Sequence, residues 1–160
     1  MSNDRRLQIF RDRFLGYKQA LIDNGLEFDE SLVIETWSKV DEGKKATKVL
    51  LDMKQPPDAI FSSSDFTALG AIEEIKEHGL KIPEDISVVG FSNEPFTRFM
   101  ELSITSVDQS PIEMGRIAAQ VFLEEVNNNK RVKSEKQVVL SPELIIRKSS
   151  QKSSVLVKAK

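Results

Sequence analysis

The 160-residue sequence contains no cysteine, one histidine, one tryptophan and one tyrosine. Without cysteine the chain can form neither a disulfide framework nor a thiolate metal site, and this absence suits a reducing compartment. No apolar run approaches the length of a membrane span, and the charged residues 1–14 lack the apolar segment of a signal peptide. We therefore expect a cytoplasmic protein with no membrane contact, no metal and no other cofactor.

The sequence also has little excess charge of either sign. Lysine and arginine number 23 against 25 aspartate and glutamate residues, which gives a formal net charge of -2. Non-specific binding of nucleic acid needs a clustered basic face that meets the phosphates. The basic residues here alternate with acidic or apolar ones, which is typical of solvated surface. We expect no DNA binding by this chain alone.

Signatures of catalysis are missing as well. The glycines are isolated, so no glycine-rich phosphate-binding loop follows a strand. His78, the single histidine, precedes Gly79 at a predicted helix end, which favours a dipole-compensating surface group over a catalytic base. No metal-ligand spacing is present. An enzyme is therefore the least favoured class of function.

Helical periodicity and short apolar runs alternate along the chain. Helices are predicted over residues 10–23, 41–53, 65–78 and 110–127, and strands over residues 32–34, 59–61, 86–91, 138–140 and 144–146. Residues 93–102 predict an irregular surface segment. Three strands alternating with helices of this length indicate right-handed crossovers in a doubly wound parallel α/β sheet.

Local signals predict where these helices begin and end. Asp41 and Asp65 are typical N-caps for the second and third helices, and Gly79 is a typical left-handed residue at the end of the third. Residues 110–113, Ser-Pro-Ile-Glu, indicate a capping box at the start of the last helix. In the second helix, Ala46, Val49, Leu50 and Met53 form the predicted inner stripe.

Ligands of open parallel sheets bind beside the carboxyl ends of the strands. The residues that follow the predicted strands include Trp37, residues 62–65 and residues 92–94, and Arg13 would face the same edge. An aromatic plane, a guanidinium, hydroxyls and carboxylates suit a polyhydroxylated or carboxylated small molecule. Partial burial remains an alternative for Trp37, a helix cap for Asp65 and ordinary exposed surface for Arg13.

Six stretches resemble the LacI/GalR family of bacterial transcription regulators. They are residues 13–21 (R..GF..AL), 57–61 and 65–72 (PDAIF…ND..ALGAI), 79–91 (GL.iPeDiSVvGF), 105–119 (TTV.Qp…G..Aa) and 141–149 (LxPxLvvRxS). The pattern over residues 79–91 is long and specific. The resemblance extends over most of the chain, from residue 13 to residue 149.

This resemblance implies a periplasmic-binding-protein-like core of type I, in which two lobes close on an effector. Carried over residue by residue, the effector contacts fall on Arg13, Trp37, Ser64 and Ser92, and the argument from the strand ends adds Asp65. Ser64 stands where the family usually has asparagine, and Ser92 where it has aspartate. Loss of that carboxylate removes charge-assisted hydrogen bonds of about 1.5–3 kcal/mol each.

The resemblance also implies a homodimer. Its contacts would fall on the third helix and on the irregular segment after the 86–91 strand. The residues concerned are Phe66, Leu69, Phe96, Phe99 and Met100.

We expect residues 1–148 to form a partial effector-binding domain, with a flexible tail over 149–160. Within it, residues 11–103 would be the C-terminal lobe, and residues 104–148 the crossover and return segments. The first lobe, the strand before the first helix and the helix-turn-helix that would contact operator DNA are expected to be missing.

Two functions fit this description. The favoured one is the effector-sensing domain of a LacI-type regulator, which binds a sugar or sugar derivative and acts on DNA through a domain absent from this chain. The alternative is the sugar-binding component of an uptake system, which shares the fold.

Overall fold

A computed structural model of the chain describes residues 1–2, 4–127 and 137–152. These residues form a sheet of four strands, β1 Ala59–Phe61, β2 Ser87–Phe91, β3 Thr105–Asp108 and β4 Glu143–Ile145, in that spatial order. The first three strands are parallel and β4 is antiparallel to β3. The α/β class is confirmed, but the sheet is mixed. Residues 138–140, predicted to be a strand, form none.

Helices connect and flank these strands. They are α1 Gln8–Asp23, a single-turn 3-10 helix Glu30–Leu32, α2 Val40–Leu51, α3 Asp65–Glu77, α4 Phe96–Phe99 and α5 Pro111–Asn127. The strand predicted at residues 32–34 is therefore wrong, because its first residue ends the 3-10 turn. None of the described helices is long and apolar enough to cross a membrane.

The hydrophobic core lies where α2 and α3 pack against the sheet. Its buried members are Leu50, Ile60, Ala68, Ile72, Ile75, Ile86, Val88 and Ile104. Ala46 and Leu50 on α2 are buried as predicted, but Val49 is 52% exposed and points away from the core. Lys39 is the N-cap of this helix, and Asp41 lies in its first turn, so the predicted cap is wrong.

Two glycines allow α2 and α3 to cross closely. A Cβ atom at Gly43 would collide with the backbone carbonyl of Thr67, and a Cβ at Gly70 would collide with that of Val40. Both obstacles are main-chain atoms, which cannot move aside as a flexible side chain could. These glycines fix the position of α3 relative to α2.

The predicted end of α3 is confirmed. Gly79 has φ +73, and its N–H donates to the Lys76 carbonyl at 2.9 Å. The Leu80 N–H donates to the Ile75 carbonyl at 3.1 Å. This pair of bonds is a Schellman motif, which satisfies carbonyls that the helix end would otherwise leave open.

Met1 and Ser2 extend the sheet beyond β1. The Met1 ammonium donates to the Phe61 carbonyl at 2.7 Å, and the Ser63 N–H donates to the Met1 carbonyl at 3.1 Å. Ser2 pairs in parallel with Glu35 on its other side. The expectation that no strand precedes α1 is therefore wrong in part, because Met1 bonds to the end of β1 and Ser2 bridges to Glu35.

The return segments belong to the same sheet, and Ser149 anchors them. Ser149 is fully buried. Its N–H donates to the Ser103 carbonyl at 3.0 Å and its carbonyl accepts from the Val88 N–H at 2.8 Å. A flexible tail beginning at residue 149 is thus contradicted at its first residue, because the backbone of Ser149 is bonded on both sides. Residues 153–160 of that predicted tail lie outside the described residues.

The predicted capping box at α5 does not form. The Ser110 N–H donates to Asp108 Oδ1 at 2.6 Å, and Glu113 pairs with Arg116 at 2.6 Å. Several large apolar side chains of this helix are exposed, including Ile112, Met114, Phe122, Leu123 and Val126. The helix therefore begins at the predicted residue but leaves an apolar face uncovered.

Candidate ligand site at the carboxyl ends of the strands

The loops that follow β1, β2 and β3 lie side by side, as predicted, because these strands are parallel. The Ser62 N–H donates to the Val89 carbonyl at 2.8 Å, and the Ser92 N–H donates to the Val107 carbonyl at 2.9 Å. The loops after β1 and β2 therefore each start with a bond to the next strand. We call this edge, residues 62–64, 92–94 and 108–110, the rim.

Arg13 reaches from α1 across the rim. Its Nη1 donates to the Ser63 carbonyl at 2.7 Å and its Nη2 to Gln109 Oε1 at 3.2 Å. The guanidinium carbon lies 3.8 Å from the centroid of the Phe91 ring. Partial burial lowers the pKa of Arg13, which remains a cation at neutral pH. Arg13 thus connects the loops after β1 and β3 above the last residue of β2.

The turn after β2 has an uncommon backbone conformation. Ser92 has φ 116 and Asn93 has φ 52, and Ser110 on the same rim has φ 52. Sparsely populated conformations of this kind cost about 1–3 kcal/mol each and persist where the surroundings over-determine them. Among the described residues, these three non-glycine residues with positive φ all lie on the rim.

Asn93 is bonded on three sides. Its N–H donates to Ser106 Oγ at 3.0 Å, and its Nδ2 donates to Asp108 Oδ2 at 2.7 Å. Its Oδ1 accepts from Arg147 Nη2 at 2.6 Å. Sequence reasoning gave these anchors no role. Asp108 is the last residue of β3, and Arg147 falls on the arginine of the LxPxLvvRxS pattern at residues 141–149, but neither position indicates a contact with Asn93.

Asp65 lies beneath the rim. Its Oδ1 accepts from the Ser106 hydroxyl at 2.7 Å and its Oδ2 from the Glu94 N–H at 2.8 Å. The residue is fully buried, and desolvation raises the pKa of its carboxyl. A Cβ atom at Gly90 would collide with Asp65 Oδ1, so the glycine leaves room for the carboxylate.

Two roles were predicted for Asp65, a contact with the effector and a helix cap. Ser64 is the N-cap of α3, and no side chain caps this helix end, so Asp65 is not the predicted cap. Its carboxylate has no exposed surface and is bonded to groups of the protein. We therefore assign it to support of the turn at residues 92–94. Ser64 is also buried, and its carbonyl accepts from the Ser62 hydroxyl at 2.8 Å.

Trp37 is 62% exposed, which disfavours the alternative of partial burial in a loop. It lines a depression at the end of the sheet beyond Ser2. The other lining residues are Asp4, Arg5, Arg6, Glu35, Thr36 and Glu42. Arg13 lines a different cavity between α1 and β1, and Ser92 lines a third between α4 and α5. Among the cavities lined by described residues, Arg13, Trp37 and Ser92 thus lie in three different ones.

The predicted dimer residues differ in exposure. The rings of Phe66 and Phe96 lie 5.2 Å apart between centroids, which joins α3 to α4. Leu69 is half-buried, and Met100 packs partly against the core. Phe99 is 81% exposed. Only Phe66 and Phe99 offer large open apolar surface, and a dimer through this face stays a prediction.

His78 follows the last residue of α3, at the end opposite the rim. Its Nδ1 lies 2.9 Å from the Glu74 carbonyl oxygen. The helix has 13 residues. At 1.5 Å per residue, this places the imidazole about 20 Å from the rim serines. A serine–histidine couple at the rim is therefore excluded by distance.

Comparison with known proteins places most of the chain in one domain family. A model of the periplasmic binding protein-like domain matches residues 1–150. The HTH-type transcriptional repressor CytR of Escherichia coli (strain K12) is 40% identical over 114 residues, which is 71% of this chain and 33% of CytR. The chain spans about a third to two fifths of the length of the curated relatives it matches.

Solved structures agree with this assignment. A regulatory protein of LacI family from Chloroflexus aggregans has a TM-score of 0.84 and 27% identity, covering 94% of this chain and 53% of its own. The transcriptional regulator CelR in its complex with cellobiose has a TM-score of 0.77 and 33% identity, covering 86% and 42%. The chain therefore belongs to the periplasmic binding protein-like domain family, and within it to the LacI-family transcription regulators.

Proposed function

We propose that this chain senses a small-molecule effector at the rim and passes the signal to a DNA-binding domain outside the chain. The observation that carries the proposal is the placement of Arg13, a cation fixed between the Ser63 carbonyl and Gln109 above the Phe91 ring. A guanidinium held by the protein in one orientation can donate to ligand oxygens with little further loss of conformational freedom.

The proposed effector is a sugar or sugar derivative. Trp37 follows the segment that bridges in parallel to Ser2, and its exposed ring can cover the apolar face of a pyranose. Ser92, held in a fixed turn, offers a hydroxyl, and Ser64 lies at the start of α3. CelR, a structural relative, is known with cellobiose bound, which supports this class of ligand.

We further propose that no reaction takes place at the rim, because the single histidine lies at the far end of α3. Operator DNA would be contacted only through a domain outside this chain. A regulator of this type acts where the chromosome is, so we propose a cytoplasmic location. The named curated relative is a repressor, which favours a regulator over a component of an uptake system.

The test is a titration of Trp37 fluorescence with cellobiose and with sucrose as probes. We expect saturable quenching with a midpoint of about 1 mM, because the rim covers only one side of a ligand. Arg13→Lys should weaken binding about tenfold, since lysine lacks the planar fork. Arg11→Lys, on an exposed position of the same helix, is the matched control and should bind like the parent.

Two results would contradict the proposal. Absence of saturable quenching with both sugars at concentrations of about 100 mM would remove the sugar class. Equal affinities of the Arg13 and Arg11 variants would show that the fixed guanidinium does not contact the ligand.

A further inference from the structure

The turn at Ser92 and Asn93 cannot hold its conformation by local preference alone. Serine rarely adopts φ near 116, and neither residue is a glycine. The backbone N–H groups of residues 92, 93 and 94 are each bonded to another element, at 2.9, 3.0 and 2.8 Å. The geometry of the Ser92 hydroxyl therefore depends on groups beneath the turn.

Arg147, which follows β4, is the most distant of these groups in sequence. Its Nη2 donates to Asn93 Oδ1 at 2.6 Å, and its Nη1 donates to the Ile104 carbonyl at 2.7 Å and to Thr97 Oγ1 at 3.1 Å. The backbone N–H of Arg147 donates to Thr105 Oγ1 at 2.8 Å. One half-buried guanidinium thus connects the turn, α4 and the start of β3.

We propose that Arg147 is a positioning residue of the effector site, which acts through Asn93 to hold Ser92 in place on the rim. The inference rests on the proposed function in one respect, namely that Ser92 contacts an effector. Arg147 itself need not touch a ligand. The amide of Asn93 transmits the constraint, because it accepts from Arg147 and donates to Asp108 at the same time.

The fork of the guanidinium is what this role requires. Its two terminal nitrogens reach three acceptors on three segments of chain. A lysine at this position keeps the positive charge but has a single nitrogen and no planar fork. Arg147→Lys therefore removes the geometry of the contact to Asn93 while leaving the charge of the region unchanged.

The experiment measures amide hydrogen exchange by NMR in the 160-residue chain. In Arg147→Lys the amide protons of Ser92 and Glu94 should exchange at least about tenfold faster, while the core amide of Val88 changes less than about twofold. Arg98→Lys, at an exposed position of α4, is the matched control. It should leave all three rates unchanged.

A second background separates positioning from general stability. Glycine accepts positive φ without strain and lacks the amide that Arg147 holds. In Asn93→Gly, adding Arg147→Lys should therefore leave the exchange rate of Ser92 unchanged, because the route through Asn93 is already gone. A merely structural role of Arg147 would accelerate exchange equally in both backgrounds, and that additive result would overturn the proposal.

The affinity for cellobiose, measured in the same variants, should fall in Arg147→Lys and stay at the parent value in Arg98→Lys. If the parent chain binds neither cellobiose nor sucrose, the proposed sugar class fails, whereas the exchange rates still decide the role of Arg147. Should Arg147→Lys not fold, Asn93→Ala interrupts the same route from its other end. Unchanged exchange at Ser92 in that variant would equally overturn the proposal.

Discussion

Replacing Ser149 by alanine should remove much of the stability of the chain, because one hydroxyl serves two buried backbone groups. Ser149 Oγ accepts from the Thr105 N–H at 2.8 Å and donates to the Val88 carbonyl at 2.6 Å. All three residues are almost completely buried, so water cannot replace the lost partner. The backbone bonds of Ser149 itself persist in the variant, which isolates the contribution of the hydroxyl.

The size of the loss follows from these two groups. A buried backbone N–H or carbonyl left without a partner costs about 1–3 kcal/mol, so the pair predicts a loss of about 2–6 kcal/mol in the free energy of unfolding. A domain of this size has roughly 5–15 kcal/mol in total. Since each kcal/mol lowers Tm by about 2–4 °C, we expect Tm to fall by roughly 4–24 °C.

Urea unfolding followed by circular dichroism measures this difference. The matched control is Ser150→Ala, because within the described part of the chain the Ser150 hydroxyl is hydrogen-bonded to the Thr105 hydroxyl alone, at 2.7 Å, and that group keeps Arg147 as a partner. We expect the control to lose about 1 kcal/mol or less. A loss in Ser149→Ala no larger than in the control would refute the reasoning that the two backbone groups depend on this hydroxyl.

Other perturbations address packing, titration and association. Gly70→Ala should lower the free energy of unfolding by about 1–3 kcal/mol, because its methyl group meets the α2 backbone. Gly16→Ala, with open space around it in α1, should instead stabilise by up to about 1 kcal/mol; equal effects in urea unfolding would contradict the crossing argument. Burial raises the pKa of Asp65, so the folded state holds this proton more tightly than the unfolded chain, and stability falls as pH rises from the ordinary carboxyl pKa to the raised one. An NMR titration of its carboxyl carbon should show a midpoint above the ordinary value, and one at or below that value speaks against desolvation. Phe99→Ser should reduce self-association in sedimentation at micromolar concentrations, whereas Leu15→Ser, another exposed apolar site, should not; a monomeric parent chain would end the dimer prediction.

Features with local causes were predictable from the sequence. The end of α3 was found because a glycine after an apolar periodicity has one common use, the left-handed position of a Schellman motif. Strands β1 and β2 were predictable because each is a short apolar run. Their alternation with helices of this length indicates parallel pairing. The rim followed from these strands, and its central residues 62–64 and 92–94 lie together for that reason.

Features that depend on distant partners were not predictable in this way. Residues 110–113 have the composition of a capping box, yet Asp108 takes the Ser110 N–H that the box would use. Asp65 has the composition of a helix cap, yet its carboxylate bonds to Ser106 and to the backbone of Glu94. In both cases a tertiary acceptor or donor replaces the local one. The polar sequence after residue 148 predicted a flexible tail. Polarity alone does not reveal that Ser149 forms hydrogen bonds with buried backbone groups of the sheet.

The contact between Gly90 and Asp65 limits how this fold can change. A side chain at position 90 would occupy the volume that the Asp65 carboxylate fills, so with alanine at 90 the carboxylate must turn away, residue 65 must be shorter, or α3 must move outward. Shortening residue 65 would in turn leave the Ser106 hydroxyl and the Glu94 N–H without an acceptor. A paired change at positions 65 and 90 would therefore relieve the collision but lose the support of the rim, so we expect Gly90 and Asp65 to be retained together in sequences that keep the rim intact.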